Sequence, residues 1–468
     1  MMNNKPEKIR IGILPGMLDL YNRLCPNLKN DLADYFSQEL ISLNLERTEL
    51  ILSPVVSTKE QVEVECKKFL EKEVDLIIIA LAPYCPSGVL GPSLLEINTP
   101  ILLWPAQNMY RLEPNNYDFE TMILNHGVHA VQDLANMLRK NNKNFGIIHG
   151  HSKQDDFNDD FGDWAKAARA VSSLRNANPI QIGGHFEDML DLQIGTEKFI
   201  DKLGLKHTDI SLDDFRRIFE NVSQEQIEHC MNAYQSTFVV SNNLERSLLE
   251  KSARGEIALR TLMKEKGSFA FGLNFLELCN DSRIAEPLHV AGSVLMSEGF
   301  GYAAEGDWVT ASFVYAMQQA FSVASFSEIF SVGYADNRLV LKHWGEGNIA
   351  MAREKARLAS SEFNDKSQAK FTITDFEFEP GPVTLINLNS TPQEQGQVIT
   401  ITGSITEDDL PKVQGPKAIF KPDRKDVREL LTNYAYNGGS HHLAVVKSDV
   451  TNVTEKMCRL AGWKHIKL

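Results

Sequence analysis

From Lys8 to Ala82 the chain alternates short, nearly unbroken apolar runs with longer amphipathic stretches: KIRIGIL, NLKNDLADYFSQELISL, ELILSPV, TKEQVEVECKKFLEKE and VDLIIIALA. A strand with one wet face alternates in polarity, whereas an unbroken apolar run belongs to a strand covered on both faces, as in a parallel sheet flanked by helices. The order therefore predicts a βαβαβ unit. It continues through PILLWPA, a helical run from about Asp118 to Lys140, and a strand over Phe145 to Gly150. Such sheets meet ligands beyond the carboxyl ends of their strands, which is where LPGMLDLY and APYCPSG lie.

A second α/β segment opens near PIQIGG at Pro179, after a long helix ending around Asn176. It holds two amphipathic helical stretches, SQEQIEHCMNAYQ and SLLEKSARGEIALRTLMKEKG, before the apolar SFAFGLNF. From about Lys370 the texture changes to KFTITDFEFEPGPVTLINLN and QVITITGSI, whose period-2 alternation and Pro-Gly turns predict an antiparallel β domain. A chain of 468 residues is too long for one hydrophobic core. The expected division is an N-terminal α/β domain over 1–176, a central α/β domain over 177–327 and a C-terminal β-rich domain over 328–468.

A formal charge of -14, from 48 basic against 62 acidic side chains, repels phosphate backbones and anionic lipid, which argues against nucleic acid and membrane as partners. Cys25, Cys66, Cys85, Cys230, Cys279 and Cys458 are widely spaced with no CxxC pair, as expected of reduced thiols. The opening MMNNKPEKIRIGILPG holds an apolar stretch that Gly16 interrupts, short of a secretory or spanning segment, and a cytoplasmic address is expected.

The most informative stretch is GFGYAAEGDWVTASFVYAMQQAFSVASFSEIF, which sets Glu305 and Glu328 in strongly apolar surroundings. Acidic residues rarely sit there without a partner. Asp307 is of helix N-cap type, with VTASFVYAMQQA the helix that follows. Glu305 is thus expected on the loop before that helix, and Glu328 at the end of the strand-like run after it. His343 ends the apolar strand RLVLKH, and His441 and His442 follow Gly438-Gly439 in NYAYNGGSHHLAVV. Taken singly, such a glutamate is usually a cap or salt-bridge residue, such a histidine a satisfied core group, and GGSHH a turn. Jointly, two carboxylates and two imidazoles make a mixed oxygen and nitrogen site with room for a bidentate substrate. That suits Mn²⁺ or another first-row divalent ion (Co²⁺ or Fe²⁺), with Mg²⁺ a further option, better than Ca²⁺ or a closed structural zinc. The expected pocket is shared by the central and C-terminal domains.

These residues resemble the L-arabinose isomerase family and, more distantly, L-fucose isomerase. GYAAEGDW resembles that family's G-Y-G-F-x-x-E-G-D-W, SFSE its F-M-E, LVLKH its strand ending in histidine, and GGSHH its G-G-A-H-H. The resemblance implies Glu305, Glu328, His343 and His442 as ligands of one divalent metal. GMLDLY is similar to G-S-Q-H-L-Y, and ILNHGVHAVQDL to L-N-Q-S-A-H-G-D-R-E-F, which places His129 on the family's substrate-side histidine. Leu18, Leu20, Asn125 and His441 join it as implied substrate-binding residues. The implied fold is two Rossmann-like parallel-sheet α/β domains followed by an antiparallel β-barrel-like domain. The implied assembly is a homo-oligomer (trimer, tetramer or hexamer) in which N-terminal residues complete a neighbour's site. The chain departs from the pattern at Leu18 (glutamine), Asp19 (histidine), Ile329 (aspartate), Phe330 (tyrosine) and Leu443 (threonine). Most of these positions surround the sugar, so the substrate stays open.

The expected reaction is aldose–ketose isomerisation of an unphosphorylated pentose, hexose or modified sugar through a cis-enediol. Glu305 and Glu328 serve as general acid and base across the two carbons. Two alternatives stand beside it: a metal-dependent sugar lyase or hydrolase on the same scaffold, and a sugar-binding homologue without catalysis. An acid-bearing sugar needs a cation aimed into the pocket, for which Arg23, Arg111 and Lys342 are the candidates.

Overall fold

The computed structural model describes residues 8–43, 45, 47–192, 201, 204–362, 370–408 and 410–468, so residues 1–7 of the opening stretch lie outside the described residues. The chain divides into two compact units, one running to Ser172 with Asn452–Gly462, the other of Ser173–Thr451 with Trp463–Leu468.

In the first unit, Ile9–Pro15, Thr48–Leu52, Leu76–Ala80, Ile101–Trp104 and Gly146–Ile147 form one parallel sheet. Their order is second, first, third, fourth, fifth. Leu76–Ala80 is buried at every position, as an unbroken apolar run between two helical layers requires. The order reverses between the first and third strands, and LPGMLDLY and APYCPSG leave from their carboxyl ends. The helical run read over Asp118 to Lys140 is two helices, Phe119–Leu124 and Gly127–Lys140. The break has a local cause: the Asn125 side chain accepts the Met109 N–H at 2.8 Å and donates to the Thr121 carbonyl at 2.7 Å, closing the first helix. The strand read over Phe145 to Gly150 is reduced to Gly146–Ile147 at the sheet's edge. Lys456, on the helix Thr451–Ala461, pairs with Asp160 at 2.9 Å within this unit.

The second unit contains a parallel sheet of Gly301–Ala304, Ala270–Leu273, Ile180–Ile182 and Thr208–Ile210, in that order. It also contains a closed antiparallel barrel of six strands: Gly381–Ser390, His442–Lys447, Ala324–Gly333, Arg338–Lys342, Lys417–Pro422 and Gly396–Ile405. The last pairs back onto the first over ten residue pairs, from Gly381 against Ile405 to Ser390 against Gly396. The fold is thus two parallel-sheet α/β parts and a C-terminal antiparallel barrel. Two barrel strands precede the change of texture at Lys370. Ala324–Gly333 is buried on both faces over its first four residues, so alternation is lost there.

Gly301 shows how tightly the strand leading to Glu305 is packed. A Cβ on it would stand 2.0 Å from the Ala311 carbonyl oxygen and 2.7 Å from the Tyr315 Cβ, both on the helix Trp308–Phe321. G301A is expected to destabilise this unit by roughly 1–3 kcal/mol. Equilibrium denaturation checks it, and an unchanged midpoint would contradict the close approach.

Candidate functional site

The barrel's register brings three of the candidate residues together. Glu328 pairs with His442 on one neighbouring strand and with Lys342 on the other, and His343 is the next residue along. Directly opposed side chains on an antiparallel pair share a face, so the Glu328 carboxylate and the His442 ring meet. The His442 Nε2 lies 3.2 Å from Glu328 Oε1, and the His343 Nε2 lies 3.3 Å from the same oxygen. Glu328 stands within its strand and not at its end, because pairing continues past a bulge between Ile329 and Ser331. Two residues earlier on the same face, Phe326 sets its ring edge-on to His343 and His442, with centroids 4.9 Å and 4.8 Å away.

Glu305 arrives from the other direction, on the turn between the strand Gly301–Ala304 and the helix Trp308–Phe321. Its φ of 61° is in the left-handed region, which a side-chain-bearing residue adopts at a cost of about 1–3 kcal/mol. The turn is held from outside: the Glu305 carbonyl accepts the Phe186 N–H at 3.2 Å, and the Gly306 carbonyl accepts the Gln181 amide at 2.7 Å. Glu305 Oε2 then lies 3.3 Å from the His442 Nε2 and 3.2 Å from the His441 Nε2. One donor atom each from Glu305, Glu328, His441 and His442 lie within 4.8 Å of one another.

Two further carboxylates complete the arrangement. Asp307 caps the helix Trp308–Phe321 through one oxygen, 2.9 Å from the Thr310 N–H, and with the other accepts the His442 Nδ1–H at 2.8 Å. Glu346 lies 2.7 Å from the His343 Nδ1, accepts the Tyr302 hydroxyl at 2.7 Å and accepts the Gly345 N–H at 2.8 Å. With a carboxylate beside each Nδ1, hydrogen-bonded in His442 and 2.7 Å away in His343, both rings turn Nε2 inward. Both ring nitrogens of His343, the His442 Nε2 and Glu328 Oε1 are buried with no hydrogen-bond partner among the described residues. The two Nε2 atoms and Glu328 Oε1 facing one another in a buried space, each histidine backed by a carboxylate, is the donor arrangement that a divalent cation takes.

Burial pushes the Glu305 and Glu328 carboxyls up, but the facing imidazoles outweigh it and hold both below the ordinary range. For His343 burial acts downward, and the flanking Glu346 and Glu328 outweigh it, raising the ring to about 10. Asp307 and Glu346 carry functional positions that sequence reading did not single out. A signal existed for both, since each is an acid within two or three residues of a candidate ligand. Leu18, Leu20, Asn125 and His129 belong to the first unit, at the carboxyl edge of its sheet. There the Leu18 N–H meets the Tyr84 carbonyl, Leu20 is exposed, and His129 lies edge-on to His126. Lys342, a candidate anion anchor, donates to the His343 carbonyl at 2.8 Å.

An α/β chain ending in a barrel, with a carboxylate–imidazole centre where the barrel meets the second parallel sheet, defines a narrow class of protein. Three family models match along the chain: the L-arabinose isomerase N-terminal domain over 9–176, the central domain over 198–322 and the C-terminal domain over 323–464. The chain belongs to the L-arabinose isomerase family. Among its relatives, the L-arabinose isomerase of Thermotoga sp. (strain RQ2) is 23% identical over 407 residues, covering 85% of this chain and 81% of that one. That of Herpetosiphon aurantiacus is 20% identical over 484 residues, covering 99% and 94%. That of Klebsiella pneumoniae is 22% identical over 454 residues, covering 93% and 89%.

Glu346→Ala leaves His343 and Tyr302 facing a buried gap and is expected to cost about 3–5 kcal/mol. Chemical denaturation of the purified variant measures it. A loss under about 1 kcal/mol would show that Glu346 is not holding the buried ring.

Proposed function

We propose that the chain is a metal-dependent aldose–ketose isomerase acting on an unphosphorylated pentose, hexose or modified sugar through a cis-enediol. Its family is one of intramolecular oxidoreductases, and the chain is an enzyme of that class. What carries the finer reading is the inward convergence of Glu305, Glu328, His343 and His442, four of whose polar atoms are buried without a hydrogen-bond partner. Those four side chains fit a single divalent cation, Mn²⁺ first, with Co²⁺, Fe²⁺ or Mg²⁺ as alternatives. When bound, the ion supplies Lewis-acid polarisation of the sugar carbonyl and stabilisation of charge on the two oxygens.

The chain's own residues move the protons. In the free chain both glutamates are held below the ordinary carboxylate range, so the one acting as base is ready to accept, and the one acting as acid takes up a proton as the sugar binds. One takes the C2 proton of the aldose and later delivers a proton to C1. The other gives a proton to O1 and later takes one from O2, which balances the conversion. The ion-pair partners of the four central side chains are all carboxylates or imidazoles. That environment disfavours a phosphate and suits a neutral polyol. Leu18, Leu20, Asn125 and His129 are proposed as substrate-side residues supplied within a homo-oligomer, which light scattering tests. The six free cysteines support a reducing, cytoplasmic setting. No helix among the described residues is long and apolar enough to cross a membrane.

A panel of free aldoses and ketoses incubated with Mn²⁺-loaded protein and followed by NMR should show one interconverting pair, with deuterium from D₂O entering at the transferred position. Conversion with complete retention of substrate hydrogen would exclude the enediol route. E305Q and E328Q are each expected to lower kcat by about 10²- to 10⁴-fold.

A pH dependence also follows. With its ring raised to about 10, His343 carries a proton at neutral pH in the metal-free protein, and metal entry must displace it. Mn²⁺ affinity is therefore expected to rise with pH between about 6 and 8, by about tenfold per unit for each proton displaced. Titrations in two buffers of different ionisation enthalpy measure the proton count, and zero protons released would contradict the ligand assignment.

A further inference from the structure

His441 differs from the two buried histidines in its exposure, 37% at the side chain, and in the origin of its partner. Its Nδ1 lies 2.6 Å from Asp191 Oδ2, and its backbone N–H reaches the same oxygen at 3.3 Å. One carboxylate oxygen thus grips both the main chain and the ring. With Nδ1–H donated to Asp191, Nε2 is the ring's remaining polar atom, and it points at Glu305 Oε2, 3.2 Å away. Asp307 on His442 and Glu346 on His343 set the same pattern inside the site. Here it recurs at the mouth, where a ligand can reach the ring. Asp191 is itself 46% exposed, and a pair so open to water contributes little to stability. Its geometric role is the larger one.

We propose that Asp191 is a positioning residue that fixes His441 with Nε2 toward Glu305, so that the ring takes a hydroxyl of an open-chain polyol at the edge of the site. The nature of the ligand rests on the isomerase reading, whereas the fixing of the ring does not. With Nδ1–H turned to Asp191, both Nε2 and the Glu305 oxygen are acceptors, so a hydroxyl beside them has a fixed nitrogen or oxygen to donate to, which a ring free to rotate does not guarantee.

The test is a double-mutant cycle on the full chain loaded with Mn²⁺, using D191A, H441A and the double variant. D191A is expected to lower kcat/KM by about 10- to 100-fold with metal content and melting temperature unchanged, and D191N, whose amide oxygen still accepts, to stay close to wild type. In the H441A background D191A should cost nothing more, since its effect runs through that ring. Additive losses, or a D191A enzyme as active as wild type, would overturn the proposal. ¹⁵N-histidine NMR of the metal-free protein gives a readout independent of turnover: the His441 resonances, assigned by their loss in H441A, should shift in D191A. If wild type converts no sugar, the isomerase reading falls while a shifted His441 signal still supports the positioning; an unshifted one removes it.

Discussion

The centre depends on Glu305, Glu328, His343 and His442 being taken almost wholly out of water together, with their polar atoms 3.2 to 3.3 Å apart. Singly, each would be costly to bury, since desolvation opposes the charged form of carboxylate and imidazole alike. Together they offset one another, and that mutual dependence explains why the surroundings are so heavily specified. Phe326 walls the two buried rings with apolar edges, and Asp307 and Glu346 turn both rings inward.

The two sides of the site are built by different means. The barrel side follows from register: once Ala324–Gly333 lies between its neighbours, Glu328, His442 and His343 have no other place to be. The sheet side follows from strain, because Glu305 reaches inward only with a left-handed backbone that Phe186 and Gln181 hold from the loop and strand beside it. Asp307 joins the two, since one carboxylate both starts the helix behind Glu305 and orients His442 on the barrel. An isomerase site asks for groups placed to within a fraction of an ångström, which rigid elements supply better than loops do.

Much of the architecture is legible in the residues. The unbroken run of Leu76–Ala80 announces a strand covered on both faces, and Asp307 announces a helix start. Less legible are features where a side chain overrides a pattern. Asn125 divides a continuous helical periodicity by bonding Met109 and Thr121, and double-sided burial hides the alternation of Ala324–Gly333. At the site, Glu305, Glu328, His343 and His442 were readable from their types and apolar settings together with a family resemblance. Glu346 was signalled only by lying three residues from His343, because its role depends on the bend after Lys342 that turns it back toward that ring.

By itself the sequence determined which segments are strands and helices, where a parallel texture gives way to an antiparallel one, and which residues have the chemistry to hold a cation. These are local properties, set by periodicity, capping and side-chain type. Tertiary structure alone decided that Glu305 and His442, separated by 137 positions (442 − 305), face each other at 3.3 Å. It also decided that His441 is gripped by Asp191. Such contacts arise from strand register and sheet closure, and no window of neighbouring residues encodes the distance between two side chains whose strands have yet to pair.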